Sequence, residues 1–297
     1  MTSDDDGATR RIARPRFGVC GWDYKDWRGP LYPQPLPRDF RALPLLARFL
    51  DFMEVNATFY DPIGGTVADR WIAETPADFT FVIKCWRGWT HDGAAPAGDA
   101  LARFRRVIDP ILAAGRLDGV LAQYPPSFRD DRDGRAAMCA LRDALAPARF
   151  FVEVRSRALY RREFLSFLQD EQLEFVNVDL PELPALPTLS TINTGPVGYV
   201  RLHGRNRAAW ANAKATRDER YDYGYARTEL EELTQRIRQL AARVTRLMVA
   251  ANNHFRAQAP AAAVALRSLW EGRAVGAPRA LVDAYPMLAE FTTPFDA

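Results

Sequence analysis

The chain has 297 residues, 48% of them hydrophobic and 26% charged, a composition that excludes a largely disordered polymer and supplies apolar area for a sizeable core. Its 40 basic and 37 acidic residues leave a net charge of only +3, which does not prescribe a nucleic-acid partner, so any basic surface has to be local. Three cysteines, Cys20, Cys85 and Cys139, stand far from any CxxC spacing; this argues against a disulfide framework or a structural zinc site and fits a reducing cytoplasm.

Asp4, Asp5, Asp6 and Gly7 precede a basic stretch without an apolar run of signal-peptide type, so residues 1–15 read as a disordered leader. No segment approaches the roughly 18 uninterrupted apolar residues of a membrane helix, and no membrane association is expected. Eight short runs rich in Val, Ile and Phe then recur, around 16–21, 51–56, 79–84, 119–123, 150–154, 175–179, 198–203 and 246–251. Helical patterns lie between them. Asp99 to Ala114 sets Leu101, Phe104, Ile108, Ile111 and Leu112 on one stripe and stops at Gly115, with Pro110 expected to kink or split it. The sixth connection holds Pro181, Pro184 and Pro187 and has room only for a short helical piece. Thr228-Glu-Leu-Glu231 reads as a capping box that opens a helix with Leu230, Leu233, Ile237 and Leu240 on one face. The tail from Arg273, with Pro278, Pro286 and Pro294, reads as a partly ordered strap packed by Leu281, Tyr285 and Leu288.

Strand followed by helix, repeated eight times, predicts an α/β protein: a single (β/α)8 TIM-type barrel over residues 16–297, strap included. An open doubly wound sheet usually has fewer strands and often a glycine-rich turn after the first; neither GxGxxG nor GxxxxGK[ST] occurs here. No linker, short-period repeat or low-complexity tract interrupts the pattern.

Side chains alternate along a strand, so residues two apart share a face, and the last inward one meets the pocket at the carboxyl end of a barrel. By this rule Glu54 goes with Asn56, Glu153 with Arg155, Asn177 with Asp179 and Arg201 with His203, while Lys84, Gln123, Asn252 and Asn253 also end their runs. Barrel enzymes place their chemistry at these ends, where a buried charge is costly unless it is paired or used.

A series of motifs stands in order along the chain: Cys20-Gly-Trp22-Asp-Tyr24-Lys-Asp-Trp27-Arg-Gly29 with Tyr32-Pro33; Glu54-Val-Asn56-Ala-Thr58-Phe59-Tyr60; Phe81-Val-Ile-Lys84 with Thr90-His91; and Gln123-Tyr-Pro125-Pro126-Ser-Phe128. Val152-Glu153-Val-Arg155, Val178-Asp179, Tyr199-Val-Arg201-Leu-His203-Gly204 and Asn252-Asn253-His254 with Gln258-Ala-Pro260 complete it. In this order they resemble the YecE-like proteins, also called domain of unknown function 72, over roughly residues 16 to 290. The resemblance implies a barrel related in shape to those of xylose isomerase and endonuclease IV, and implies no established reaction. Trp86, Ala251 and Ala257 depart from the usual residues of the family and bear on local packing only.

Each candidate has a structural reading beside the functional one. Glu153 and Arg155 could close a barrel layer as a salt bridge, or form a proton-transferring carboxylate held by a guanidinium. Asp179 could cap the loop that follows it or partner Glu153. The amides could satisfy backbone groups, and Trp22, Tyr24, Trp27, Phe59 and Tyr60 could pack the core or stack on a sugar or base. Cys20 reads as a small core residue and His254 as a loop residue.

The favoured expectation is an enzyme, a hydrolase, lyase or isomerase, acting by acid and base chemistry on a small polar anion such as a phosphorylated sugar or nucleotide fragment. Its catalytic residues would be Glu153, Asp179, His203 and His91. Lys84, Arg155 and Arg201 would hold the anion, with Asn56, Gln123, Asn252, Asn253, Trp22 and Tyr60 orienting the rest. No cofactor and no obligate protein partner is expected. One alternative is a module that binds nucleic acid or a nucleotide without turnover. Another is a metal-dependent hydrolase or isomerase using Glu153, Asp179 and His203, against which Lys84, Arg155 and Arg201 crowd cations into the same mouth.

Overall fold

Val, Ile and Phe crowd each of the eight runs, and each run forms a strand in the computed structural model, which describes residues 12–62 and 66–296. The strands are β1 (Pro15–Cys20), β2 (Phe52–Val55), β3 (Thr80–Lys84), β4 (Leu117–Gln123), β5 (Phe150–Glu153), β6 (Glu174–Asp179), β7 (Val197–Leu202) and β8 (Arg246–Ala251). They are parallel and close in chain order into one barrel, β8 returning to β1 with Ala250 opposite Gly18. Every strand is buried on both faces, the reason its sequence reads as a continuous apolar run. Phe17, Met53, Val55, Phe81 and Ile83 face the surrounding helices, whereas Phe52, Val82, Leu121, Phe151, Val176, Val178 and Tyr199 fill the interior. There the Phe151 and Tyr199 rings meet edge-on with centroids 5.1 Å apart, a contact of about 1 kcal/mol beyond its area.

The helices depart from expectation in instructive ways. Gly98–Ala113 runs unbroken through Pro110 and ends, as its sequence suggests, before Gly115. The carbonyl that loses its donor to Pro110 belongs to the exposed Arg106, so water can take the place of the missing N–H. Arg227–Ala241 starts earlier than the Thr228–Glu231 box implies: Glu229 accepts the backbone N–H of Ala226 at 2.9 Å, and Thr228 lies inside the helix. Leu230, Leu233, Ile237 and Leu240 are buried on its inner face. The sixth connection contains no helix at all. Asn177 orders it instead, donating to the Ile192 carbonyl at 2.8 Å and accepting from the Ile192 N–H and the Ser190 hydroxyl.

The seventh connection, between β7 and the Arg227–Ala241 helix, carries two short helices, Arg207–Ala211 and Arg217–Tyr221, over the barrel mouth. The tail is more regular than a strap, because β9 (Val275–Pro278) and β10 (Thr292–Phe295) pair in parallel around the helix Arg279–Ala284. Leu281 and Leu288 are buried beneath them. Of the expected leader, residues 1–11 lie outside the described residues; Ala13 is already tied to the barrel by its N–H to the Ala241 carbonyl, and Pro15 opens β1. Among the described residues, no helix is long and apolar enough to cross a membrane.

Candidate functional site

Above the apolar interior, the next inward residues are polar: Glu54 on β2, Lys84 on β3, Gln123 on β4, Glu153 on β5 and Arg201 on β7, all buried. Arg201 organises them. Its Nε and Nη2 donate to the two oxygens of Glu54 at 2.8 and 2.6 Å, and its Nη1 donates to Glu153 Oε2. Tyr199, one layer below, donates its hydroxyl to the same Glu54. Arg155 reaches the other side of Glu153, Nε to Oε1 at 2.8 Å. Burial pushes both carboxyls up, but the Arg201 guanidinium more than reverses it, so Glu54 lies below its ordinary range and Glu153, with Arg155 beside it, well below. Both are fixed carboxylates.

His203 stands next to this cluster without a solvent-facing atom. Asn252 Nδ2 donates to its Nδ1 at 2.9 Å, which leaves the ring proton on Nε2, 3.5 Å from Glu153 Oε1. Burial brings His203 down to about 4, so the imidazole is neutral. Lys84 sits over the face of Phe59, 3.9 Å from the ring centroid, and donates to Gln123 Oε1 at 3.0 Å. Burial, then Arg201 and Arg155, lower its ammonium to about 7. Among the described ion pairs, no carboxylate contacts Lys84.

These groups form the floor of a cavity of about 210 Å³ at the carboxyl ends of the strands. Lys84, Arg155, Arg201 and Arg217 contribute four cationic side chains to its lining, and among the described residues no carboxylate does. Tyr24, Tyr60, Tyr221 and Phe59 supply aromatic walls; Asn56, Gln123, Asn252 and His254 supply neutral polar atoms. Asn56 Oδ1 and both ring nitrogens of His254 are buried without a hydrogen-bond partner among the described residues. The Tyr24 wall depends on the turn before it: Gly21 has φ +79°, and a Cβ there would meet the Tyr24 hydroxyl at 2.8 Å, so only glycine lets Tyr24 close back onto the Cys20 carbonyl.

Lys84, Arg155, Arg201, Asn56, Gln123, Asn252 and Tyr60 thus meet at one cavity, with Glu153 and His203 packed directly behind them. The other candidates lie elsewhere. Val178 pairs with Arg201 and Asp179 with Leu202; paired residues of parallel strands face the same side, so Val178 turns inward and Asp179 outward. Asp179 therefore does not partner Glu153. It accepts from Arg205 Nη2 at 2.8 Å and from the Tyr225 hydroxyl at 2.6 Å in a separate groove, and burial raises its carboxyl against the pull of Arg205. Glu153, Asp179 and His203 do not converge, and among the described residues no three His, Cys, Asp or Glu side chains gather as a metal set. Asn253 likewise turns outward, donating to the Tyr223 carbonyl at 2.8 Å to anchor the long loop. His91 stands behind Phe59, their ring centroids 5.2 Å apart. Trp22 lines a second groove beyond Tyr24, edge-on to Trp71.

Sequence reasoning missed Arg217 and Tyr221, which reach the cavity from the seventh connection, where no strand-end rule applies. It also set His254 aside as a loop residue, yet that ring stacks on Tyr24 at 4.5 Å and lines the cavity. Burial lowers it to about 4. Its position directly after the Asn pair was the available signal.

Comparison with known proteins accords with this architecture. The family model described as "Protein of unknown function DUF72" matches residues 16–283. The chain is 26% identical over 252 residues to UPF0759 protein YunF of Bacillus subtilis (strain 168), covering 80% of this chain and 88% of that one. A crystal structure of a DUF72 family protein from Thermotoga maritima MSB8 superposes with a TM-score of 0.74 at 29% identity, covering 86% of this chain and 98% of the other. One from Enterococcus faecalis V583 shares the fold at a TM-score of 0.76 and 22% identity, over 87% of this chain and 96% of that one. With the match running from β1 into the helix that follows β9, this chain belongs to the DUF72 family.

Proposed function

We propose that the barrel mouth binds a small polar anion, of the size of a sugar phosphate or a nucleotide fragment, and transfers protons on it. The observation that carries this reading is the charge of the lining: among the described residues, four cationic side chains and no carboxylate. Glu54 and Glu153 are spent below the floor on Arg201 and Arg155, and Arg217 is paired with Asp218 outside, which leaves Lys84, among the described residues, as the lining cation with no carboxylate of its own. A planar guanidinium such as Arg155 can give two parallel hydrogen bonds to a phosphate or carboxylate, and Lys84 adds a point charge. A low-dielectric floor makes each of these contacts stronger than in water. Asn56, Asn252 and His254 would orient hydroxyls, with the tyrosines against a flat ring.

The roles expected of Glu153 and Asp179 change accordingly. Glu153 touches no cavity space and is held as an anion by two guanidiniums, so it positions Arg155 and Arg201 instead of exchanging protons. Among the lining groups, Lys84 is the one with a proton affinity near neutral pH, the condition for an efficient acid or base. Isothermal titration with inorganic phosphate and ribose 5-phosphate tests the site. Micromolar to millimolar affinity that falls at least tenfold in Arg155→Ala is expected, and affinity indifferent to that substitution would reject the assignment. Binding that grows with oligonucleotide length and weakens steeply with salt would favour the nucleic-acid alternative.

A further inference from the structure

Of the 40 basic residues in the chain, 37 are arginines and three are lysines. Lys25 and Lys214 are exposed; the third, Lys84, is buried on the cavity floor. Anion binding asks only for a cation, and this chain meets that need almost everywhere with arginine, whose guanidinium keeps its proton under all ordinary conditions. A primary amine offers what arginine does not: a lone pair on nitrogen, available once the proton leaves.

The surroundings of Lys84 favour that release. Its Nζ has one neutral acceptor, Gln123 Oε1 at 3.0 Å, and no carboxylate partner among the described residues; the Phe59 ring beneath it favours the ammonium but only weakly against the burial and the two guanidiniums. Arg155 and Arg201 share its cavity, while Glu54 and Glu153, which could have held its proton, are bound to those same arginines. Burial and the two guanidiniums bring the amine to about 7, so a large fraction is neutral at physiological pH.

We infer that Lys84 is a nucleophilic amine that condenses with an aldehyde or ketone borne by the anionic ligand, which makes the substrate class a phosphorylated carbonyl compound such as an aldose or ketose phosphate. The inference rests on the anion site proposed above. The Nζ lone pair forms the N–C bond as the carbonyl π pair moves to oxygen, and one Nζ proton passes to that oxygen to give a carbinolamine. The hydroxyl leaves as water with the second Nζ proton, giving a neutral imine; no electrons are gained or lost. Protonation of the imine nitrogen then acidifies the neighbouring C–H, the bond on which an isomerase or lyase acts. His254, neutral and with neither ring nitrogen hydrogen-bonded among the described residues, faces the same cavity and can relay these protons.

The test is reductive trapping with glyceraldehyde 3-phosphate and sodium cyanoborohydride on the full chain at pH 7, read by peptide mass mapping. At that pH the neutral fraction of an exposed lysine is smaller than that of Lys84 by orders of magnitude, so labelling of Lys84 about tenfold or more faster than Lys25 and Lys214 is expected. Inorganic phosphate should slow it, and Lys84→Arg should abolish that adduct. No adduct at Lys84, or one formed no faster than at the exposed lysines, overturns the inference. Calorimetry with inorganic phosphate separates the two layers: phosphate that binds without any Lys84 adduct overturns the amine and leaves the anion site standing. A rapid Lys84 adduct that phosphate neither slows nor competes with, and no phosphate binding, overturns the anion site instead.

Discussion

The two ends of the barrel are both closed by buried carboxylates paired with arginines, yet the two sets behave oppositely. At the carboxyl end, Glu54 and Glu153 lie below the ordinary range of a glutamate; at the amino end, Asp118 and Glu174 lie above theirs. Burial pushes all four up. The difference is in the arginine. Arg201 is 1% exposed and gives three hydrogen bonds to two carboxylates, whereas Arg149 and Arg246 leave about two fifths of their side chains in water (39% and 44% exposed). Water screens those pairs and weakens their hold. At the amino end the ion pairs lie partly in water, whereas at the carboxyl end they form a buried frame in which Glu54 and Glu153 are already satisfied by Arg201 and Arg155.

The largest expected effect breaks that frame. Arg201→Met leaves the fully buried Glu54 without its cation and Glu153 with Arg155 alone, and should cost about 3–5 kcal/mol of stability in a denaturant titration. Adding Glu54→Gln and Glu153→Gln to the same chain should restore part of the loss; a single substitution costing under about 1 kcal/mol would show that the frame is not structural.

A second, smaller effect sharpens the comparison by pH. Burial holds His203 at about 4 against an ordinary 6.5, so as pH falls the unfolded chain takes up this proton first. The stability contributed by this group is therefore full above about 6.5 and falls progressively toward about 4, by about 3 kcal/mol. Glu153, Arg155 and Arg201 are the charged groups acting on it. The lowered Glu54 and Glu153 extend the loss below 4.5, while the raised Asp118 and Glu174 oppose it, because the folded chain binds their protons first. Chemical denaturation at pH 7 and pH 4.5 checks the slope, and His203→Gln should reduce it, with His254, which burial also holds at about 4, keeping the remainder.

The smallest expected effect is at the amino end. Arg149→Ala removes a pair that is two-fifths in water, from a Glu174 whose carboxyl already inclines toward its protonated form. A loss of about 1 kcal/mol or less is expected in the same titration. A loss as large as that of Arg201→Met would erase the distinction between the two ends.

Residue order alone determined the barrel. Each strand is short, β-branched and aromatic, and bounded by turn residues, so all eight are legible within two residues of their observed ends. The same property hides which face turns inward. A strand buried on both sides carries no polar alternation to mark its parity, so Asn177 with Asp179 looked equivalent to Arg201 with His203 until the pairing of Val178 with Arg201 placed the former outside. Local pattern likewise could not reach across the chain. Arg217, Tyr221 and His254 enter the cavity because the seventh connection and the turn after β8 fold over the mouth, and the lowering of Lys84 to about 7 comes from burial first and then from Arg201 and Arg155, which share its cavity. Covalent order sets strand propensity through neighbours a few residues apart, whereas charge state and enclosure depend on groups that only chain closure brings within a few ångströms.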